Sequence, residues 1–175
     1  MNLRRSLAVT AALAAGIASV PGTAFADAAG PTDFRTEITS ISPETPTVEL
    51  SIEGGDSFVR MSVEAGVEAE VLGYDDEPYV MIDADGVVWE NQRSYATYYN
   101  SSRYGTGAIP DEVDNSAEPA WERVGDGGAW AWHDHRAHWM STAPPLGMEP
   151  GDSLPEAVIP LVVDGVQVQV TVVST

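Results

Sequence analysis

Residues 157–173 constrain the fold more than any other stretch, because Ala157 to Val163 and Val166 to Val173 flank an Asp164-Gly165 pair. Asp-Gly between two β-branched runs is a strong hairpin signal, since the favoured two-residue turn needs positive φ at both central positions. In the second run Val166, Val168, Val170 and Val172 fall on one face, with Gln167, Gln169 and Thr171 on the other. A face of valines is stable only when another layer covers it, so the chain must build an antiparallel sheet with one buried side. Pro160 cannot donate a ladder bond, which predicts an edge or bulged strand for Ala157 to Val163.

The same punctuation runs along the chain, with short Val-, Ile-, Tyr- and Trp-rich runs between Gly, Pro and Asp clusters. It predicts strands at Thr36 to Ile41, Thr47 to Ile52, Phe58 to Val63, Glu68 to Tyr74, Tyr79 to Ile82 and Val87 to Glu90. No stretch sustains a helical period. The expected fold is all-β, an antiparallel immunoglobulin-like sandwich of about nine or ten short strands. Only that architecture is implied, because the chain has no cysteine and lacks the Cys-Trp-Cys hallmark of antibody domains. Asp83-Ala84-Asp85-Gly86 reads as a hairpin turn. A calcium loop is the competing reading, but Val87, Val88 and Trp89 stand where further oxygen ligands belong.

Residues 1–26 read as a secretory signal peptide, with Arg4 and Arg5, an apolar stretch from Leu7 to Val20, and Ala24-Phe25-Ala26 as the cleavage site. Residues 27–35 are expected to be a disordered lead, and 36–175 one β-sandwich domain. After cleavage six arginines face 27 carboxylates, and the chain has no lysine. Such a charge repels nucleic acid and anionic lipid at long range and leaves cations and basic surfaces as partners. A secreted or cell-envelope location follows, with no direct membrane span after signal removal.

Two segments carry a family resemblance: Leu72-Gly73-Tyr74-Asp75-Asp76-Glu77-Pro78-Tyr79, continuing through Asp83 to Asn91, and Trp132-His133-Asp134-His135-Arg136 with His138-Trp139-Met140. The chain resembles an uncharacterised family of exported actinobacterial proteins across about residues 36–173. The resemblance implies a signal peptide, a β-rich ectodomain and usually a C-terminal membrane helix; it implies no activity. This chain stops at Thr175 without that helix, so a secreted product is the simpler expectation.

Every histidine of the chain lies in that second segment, at His133, His135 and His138. On a straight strand His133 and His135 share one side, with Cα atoms about 7 Å apart. His138 would face the other side with Trp130, Trp132, Asp134, Arg136 and Met140, so a three-histidine site requires a bend near Arg136-Ala137. Ligands of one ion need their nitrogens within about 4 Å of one another. With that bend, copper or zinc suits the imidazoles, and Met140 is the soft ligand that favours cuprous copper. The mature amino terminus near Asp27 lacks the histidine used by amino-terminal copper braces. The competing reading makes the tryptophans core, Asp134 and Arg136 a same-face ion pair, and the histidines caps on backbone carbonyls.

Asn91 to Ala120 reads as a long irregular connection carrying Tyr95, Tyr98, Tyr99 and Tyr104. Such a loop is either functional or packed on itself. The tyrosines, with Trp132 and Trp139, form the expected ligand or partner surface; alternatively their rings pin the loop to the sheet. No Gly-x-Ser-x-Gly turn and no cysteine nucleophile are present, and the many acids leave carboxylate pairs for a hydrolase unranked. The sequence thus predicts a secreted, non-catalytic binding module of unknown ligand. A copper-binding protein is the alternative, and a hydrolase stands behind it.

Overall fold

The structure, a computed structural model, describes residues 34–175 apart from Ser57 and Thr142. The expected signal peptide and residues 27–33 of the lead lie outside the described residues. Of the two described residues of the lead, Arg35 is tied to the fold by backbone hydrogen bonds of 2.8 and 2.9 Å exchanged with Thr175, and the Phe34 ring lies 6.4 Å from that of Trp139.

Among the described residues ten strands form two antiparallel sheets. The larger sheet runs in the order β1 (Thr36–Ser42), β10 (Val166–Ser174), β9 (Ala157–Val163), β4 (Ala69–Leu72), β5 (Pro78–Ile82), β6 (Val88–Asn91) and β7 (Trp121–Gly125). The smaller sheet holds β2 (Val48–Glu53), β3 (Phe58–Val63) and β8 (Ala129–Trp132). Val59, Met61 and Trp132 from the small sheet join Val71, Val80, Ile82, Leu161, Val168 and Val170 from the large one in a single buried cluster. That shared core makes the fold an all-β sandwich of immunoglobulin-like layering, split seven strands to three. Among the described residues no helix is long and apolar enough to cross a membrane.

The C-terminal hairpin forms as its residues dictate. Asp164 and Gly165 have φ of 47° and 77°, so both central positions of the turn are left-handed. Val163 lies opposite Val166, and Val168, Val170 and Val172 are buried. Pro160 departs from expectation, because β9 is an interior strand between β10 and β4. The two-residue turn makes Val163, Leu161 and Ile159 the residues that bond β10, which turns Pro160 toward β4. There the pairing stops at Val71 opposite Leu161, one residue short of Pro160. The missing N–H therefore costs no ladder bond.

The Asp83 hairpin also forms, joining β5 to β6 with Ile82 opposite Val88. Asp83 Oδ1 accepts from the backbone N–H of Asp85 and Val87, and Oδ2 accepts from the Trp89 indole at 2.8 Å. Both carboxylate oxygens serve the turn, which speaks against the calcium reading.

The connection after β6 contains one element with no helical period to announce it: α1 (Tyr95–Tyr99). Ser94 caps it by accepting from Ala96 N–H, and its own hydroxyl donates to buried Glu77 at 2.7 Å. Glu77 lies so close to Gly73 that a Cβ there would fall 2.0 Å from Oε1. The Leu72–Tyr79 segment and the helix are thus stapled together through one carboxylate.

Glu90 on β6 faces Glu122 on β7 across the ladder. Burial, followed by the Glu122 charge, raises its carboxyl to about 7, against the opposing bond from Gln92. A carboxyl raised on folding stabilises fully below its unfolded value, and that stability is lost as pH rises through about 7. Glu90→Gln should therefore match the parent near pH 4.5 and be more stable at pH 8. Urea unfolding at the two pH values checks this; equal stability at pH 8 would show that Glu90 ionises without penalty.

Candidate metal centre

β8 delivers the histidine segment but does not contain it. Its pairing with β3 ends at Trp132 opposite Val59, so His133 is already beyond the strand. Strand parity, which separates His138 from the other two, does not apply past that point. A tight turn follows instead, with Ala137 N–H donating to the Asp134 carbonyl at 2.9 Å. The turn supplies the bend that a three-histidine site requires.

Asp134 holds the turn. Its side chain is fully buried and accepts from the Arg136 backbone N–H, from Arg136 Nε and Nη2 at 2.8 Å each, and from the Trp132 indole at 2.9 Å. Burial alone would raise its pKa; the Arg136 guanidinium and these bonds more than reverse that and hold the carboxyl below its usual range. Arg136 also donates to the Leu72 and Gly73 carbonyls and lies 4.9 Å from the Tyr74 ring centre. The expected Asp134–Arg136 pair therefore exists, on a turn rather than a strand face. Through it the two motif segments lie against each other.

The three imidazoles come together, at a spacing looser than the limit of about 4 Å required of ligands already bound to one ion. One ring nitrogen from each of His133, His135 and His138 lies within 4.8 Å of the other two. The spread is uneven, with His133 Nε2 and His138 Nε2 2.7 Å apart. A tetrahedral ion bound at about 2.05 Å to each nitrogen separates its ligands by about 3.3 Å. Binding would therefore open the close pair and draw the wider contacts inward.

Hydrogen bonds to backbone fix which nitrogens face inward. His135 Nε2 is bonded to the Ser102 carbonyl at 2.8 Å and His138 Nδ1 to the Trp139 carbonyl at 2.9 Å. A carbonyl only accepts, so each of these nitrogens carries the proton, and in the neutral rings His135 Nδ1 and His138 Nε2 present lone pairs. His133 bonds the Arg103 backbone. Backbone anchoring of the outer nitrogen is how proteins orient imidazoles toward a metal. His135 Nδ1 is buried and has no hydrogen-bond partner.

The rings are also kept neutral. Burial, then the charges of His138, His135 and Arg103, pushes His133 down to about 3. Burial likewise lowers His135 and His138, against their backbone bonds.

No protein-family model, curated protein or solved structure matches the chain.

The remaining expected residues divide. Met140 is half-buried two residues past His138, and the imidazoles converge without it. Trp132 belongs to the core at 4% exposure, which corrects its assignment to a partner surface: its ring packs between the sheets and its indole is spent on Asp134. Trp139 is half-buried, 6.4 Å from Phe34, with its indole on the Ala143 carbonyl. Tyr95 and Tyr99 stack at 5.0 Å, and Tyr99 meets His135 edge-on at 4.4 Å. Tyr98 bonds back to Gln92, and Tyr104 is exposed. Three of the four tyrosine rings thus pin the loop.

Sequence reasoning missed several residues around the site. Phe58 stands edge-on to His133 at 5.5 Å, and the Asn100 amide oxygen accepts from Tyr74 behind His135. Asp56 and Arg103 form a buried ion pair of 2.7 Å, with side-chain exposures of 0% and 7%. The Gly54-Gly55-Asp56 stretch reads only as a turn, and Arg103 lies 47 positions from its partner. No local pattern joins them.

Proposed function

We propose that this protein is an exported, non-catalytic β-sandwich that binds one transition-metal ion, copper or zinc, through His133, His135 and His138. The observation that carries this reading is the approach of one ring nitrogen from each histidine to within 4.8 Å of the other two, in a cluster where the Nδ1 of His135 is buried without a hydrogen-bond partner. A buried polar atom without a partner costs about 1–3 kcal/mol, which an ion at that position would recover. Anchored outer nitrogens, neutral rings and a bend fixed by Asp134 all support it. Export rests on the residue pattern at 1–26.

Calorimetric titration of the purified protein with zinc and with copper tests the reading. One ion per chain should bind with a dissociation constant below about 1 μM, since a useful site exceeds that affinity. His135→Ala should weaken binding at least about 100-fold, because it removes one of three ligands. Unchanged affinity in that variant would place the ion elsewhere, among the many surface carboxylates.

A further inference from the structure

We propose that the three-histidine site selects cuprous copper over divalent zinc. The inference rests on the metal-binding reading above and concerns which ion that site takes. Its basis is the absence of available negative charge around the ligands. The convergent group consists of three imidazoles, neutral when they bind a metal, and among the described residues no carboxylate completes it. Two carboxylates are buried nearby, and an arginine holds each of them. Asp134 is bound to Arg136 at 2.8 Å and Asp56 to Arg103 at 2.7 Å, with neither acid side chain exposed.

A dication on three neutral nitrogens keeps both its charges in this partly dehydrated setting. The Born cost of burying an ion rises with the square of its charge, so a monocation costs about a quarter as much. Zinc commonly solves the problem with an anionic fourth ligand, a carboxylate or a bound hydroxide. Here the carboxylates are committed, and the Phe58 and Tyr99 rings stand against His133 and His135. Cuprous copper has a filled d shell, carries one charge and is satisfied by two or three nitrogen donors. It therefore needs no fourth ligand and no counter-charge.

Competition titrations of the purified protein test the preference. Copper(I) is supplied under anaerobic, reducing conditions against a chromophoric cuprous chelator, and zinc against a chromophoric zinc chelator. One copper(I) per chain should bind at least about 1,000-fold more tightly than zinc, the ratio expected when about 4 kcal/mol separates the two ions. Zinc affinity equal to or above that of copper(I) would overturn the selectivity while leaving the metal site intact. Failure of both ions to bind would overturn the metal reading itself, and the selectivity with it.

A variant probes the cause. Arg103→Gln removes a cationic partner of Asp56 and leaves uncompensated a carboxylate whose charge acts on His138. The zinc-to-copper(I) affinity ratio should rise at least about tenfold, because the added anion favours the dication more. A purely structural role for Arg103 would weaken both ions together, and an unchanged ratio would overturn the charge argument. If the variant does not fold, the parent titrations still decide the proposal.

Discussion

Asp134→Ala should destabilise the protein by about 3–5 kcal/mol, the range for breaking one side of a buried ion pair. The substitution strands more than one group. Arg136, with 14% of its side chain exposed, keeps the Leu72 and Gly73 carbonyls but loses its counter-charge. The Trp132 indole, in the core, loses its acceptor. The turn also loses the bond from the Arg136 backbone N–H that closes it. Urea unfolding would measure the effect, and Asp134→Ala with Arg136→Met provides the control. Removing both charges should recover a large part of the loss, since replacing a buried pair by apolar side chains is often close to neutral. A single-variant cost under about 1 kcal/mol, typical of a solvent-exposed pair, would show that water reaches the turn.

This turn also marks where the sequence stops being legible. Periodicity is local, so it reveals what local geometry decides. The Phe58–Val63 and Ala157–Val163 strands have the expected bounds, and the Asp164-Gly165 turn has the expected conformation. The ion pair of Asp134 and Arg136 is visible because the partners are two residues apart. The bend is not, because it depends on Arg136 reaching Leu72 and Gly73 more than 60 positions earlier. Treating residues 132–140 as one strand extends a real signal, β8, past the point where its partner β3 ends. The same limit explains Pro160: its place beside β4 is a matter of register, which composition does not encode. The ring of residues behind the imidazoles, Ser102, Asn100, Tyr99 and Arg103, comes from a loop that only tertiary packing brings there.

Metal should stabilise the folded protein strongly, and the size of the effect separates a built site from casual surface binding. An ion that binds the folded chain and not the unfolded one adds RT ln(1 + [L]/Kd), or about 4 kcal/mol at 1,000 times the dissociation constant. For a domain of this length that corresponds to a rise in Tm of about 10–15 °C. His138→Ala should cut the rise to about a third or less, because it removes the ligand 2.7 Å from His133 Nε2, and an approximately 100-fold loss of affinity leaves about 1.4 kcal/mol. Glu49→Gln, a change at a carboxylate on the smaller sheet outside the convergent group, should leave it intact. Thermal unfolding with and without the ion, before and after a chelator, reads the difference. Three histidines within six residues also bind metal in the unfolded chain, which subtracts from the gain. The folded arrangement must therefore contribute more than proximity in sequence. It does so by anchoring two outer nitrogens on the Ser102 and Trp139 carbonyls and a third ring on the Arg103 backbone. A Tm rise that survives undiminished in His138→Ala would mean that the ion is held by surface acids, and the preorganised ring of imidazoles would then have no part in binding it.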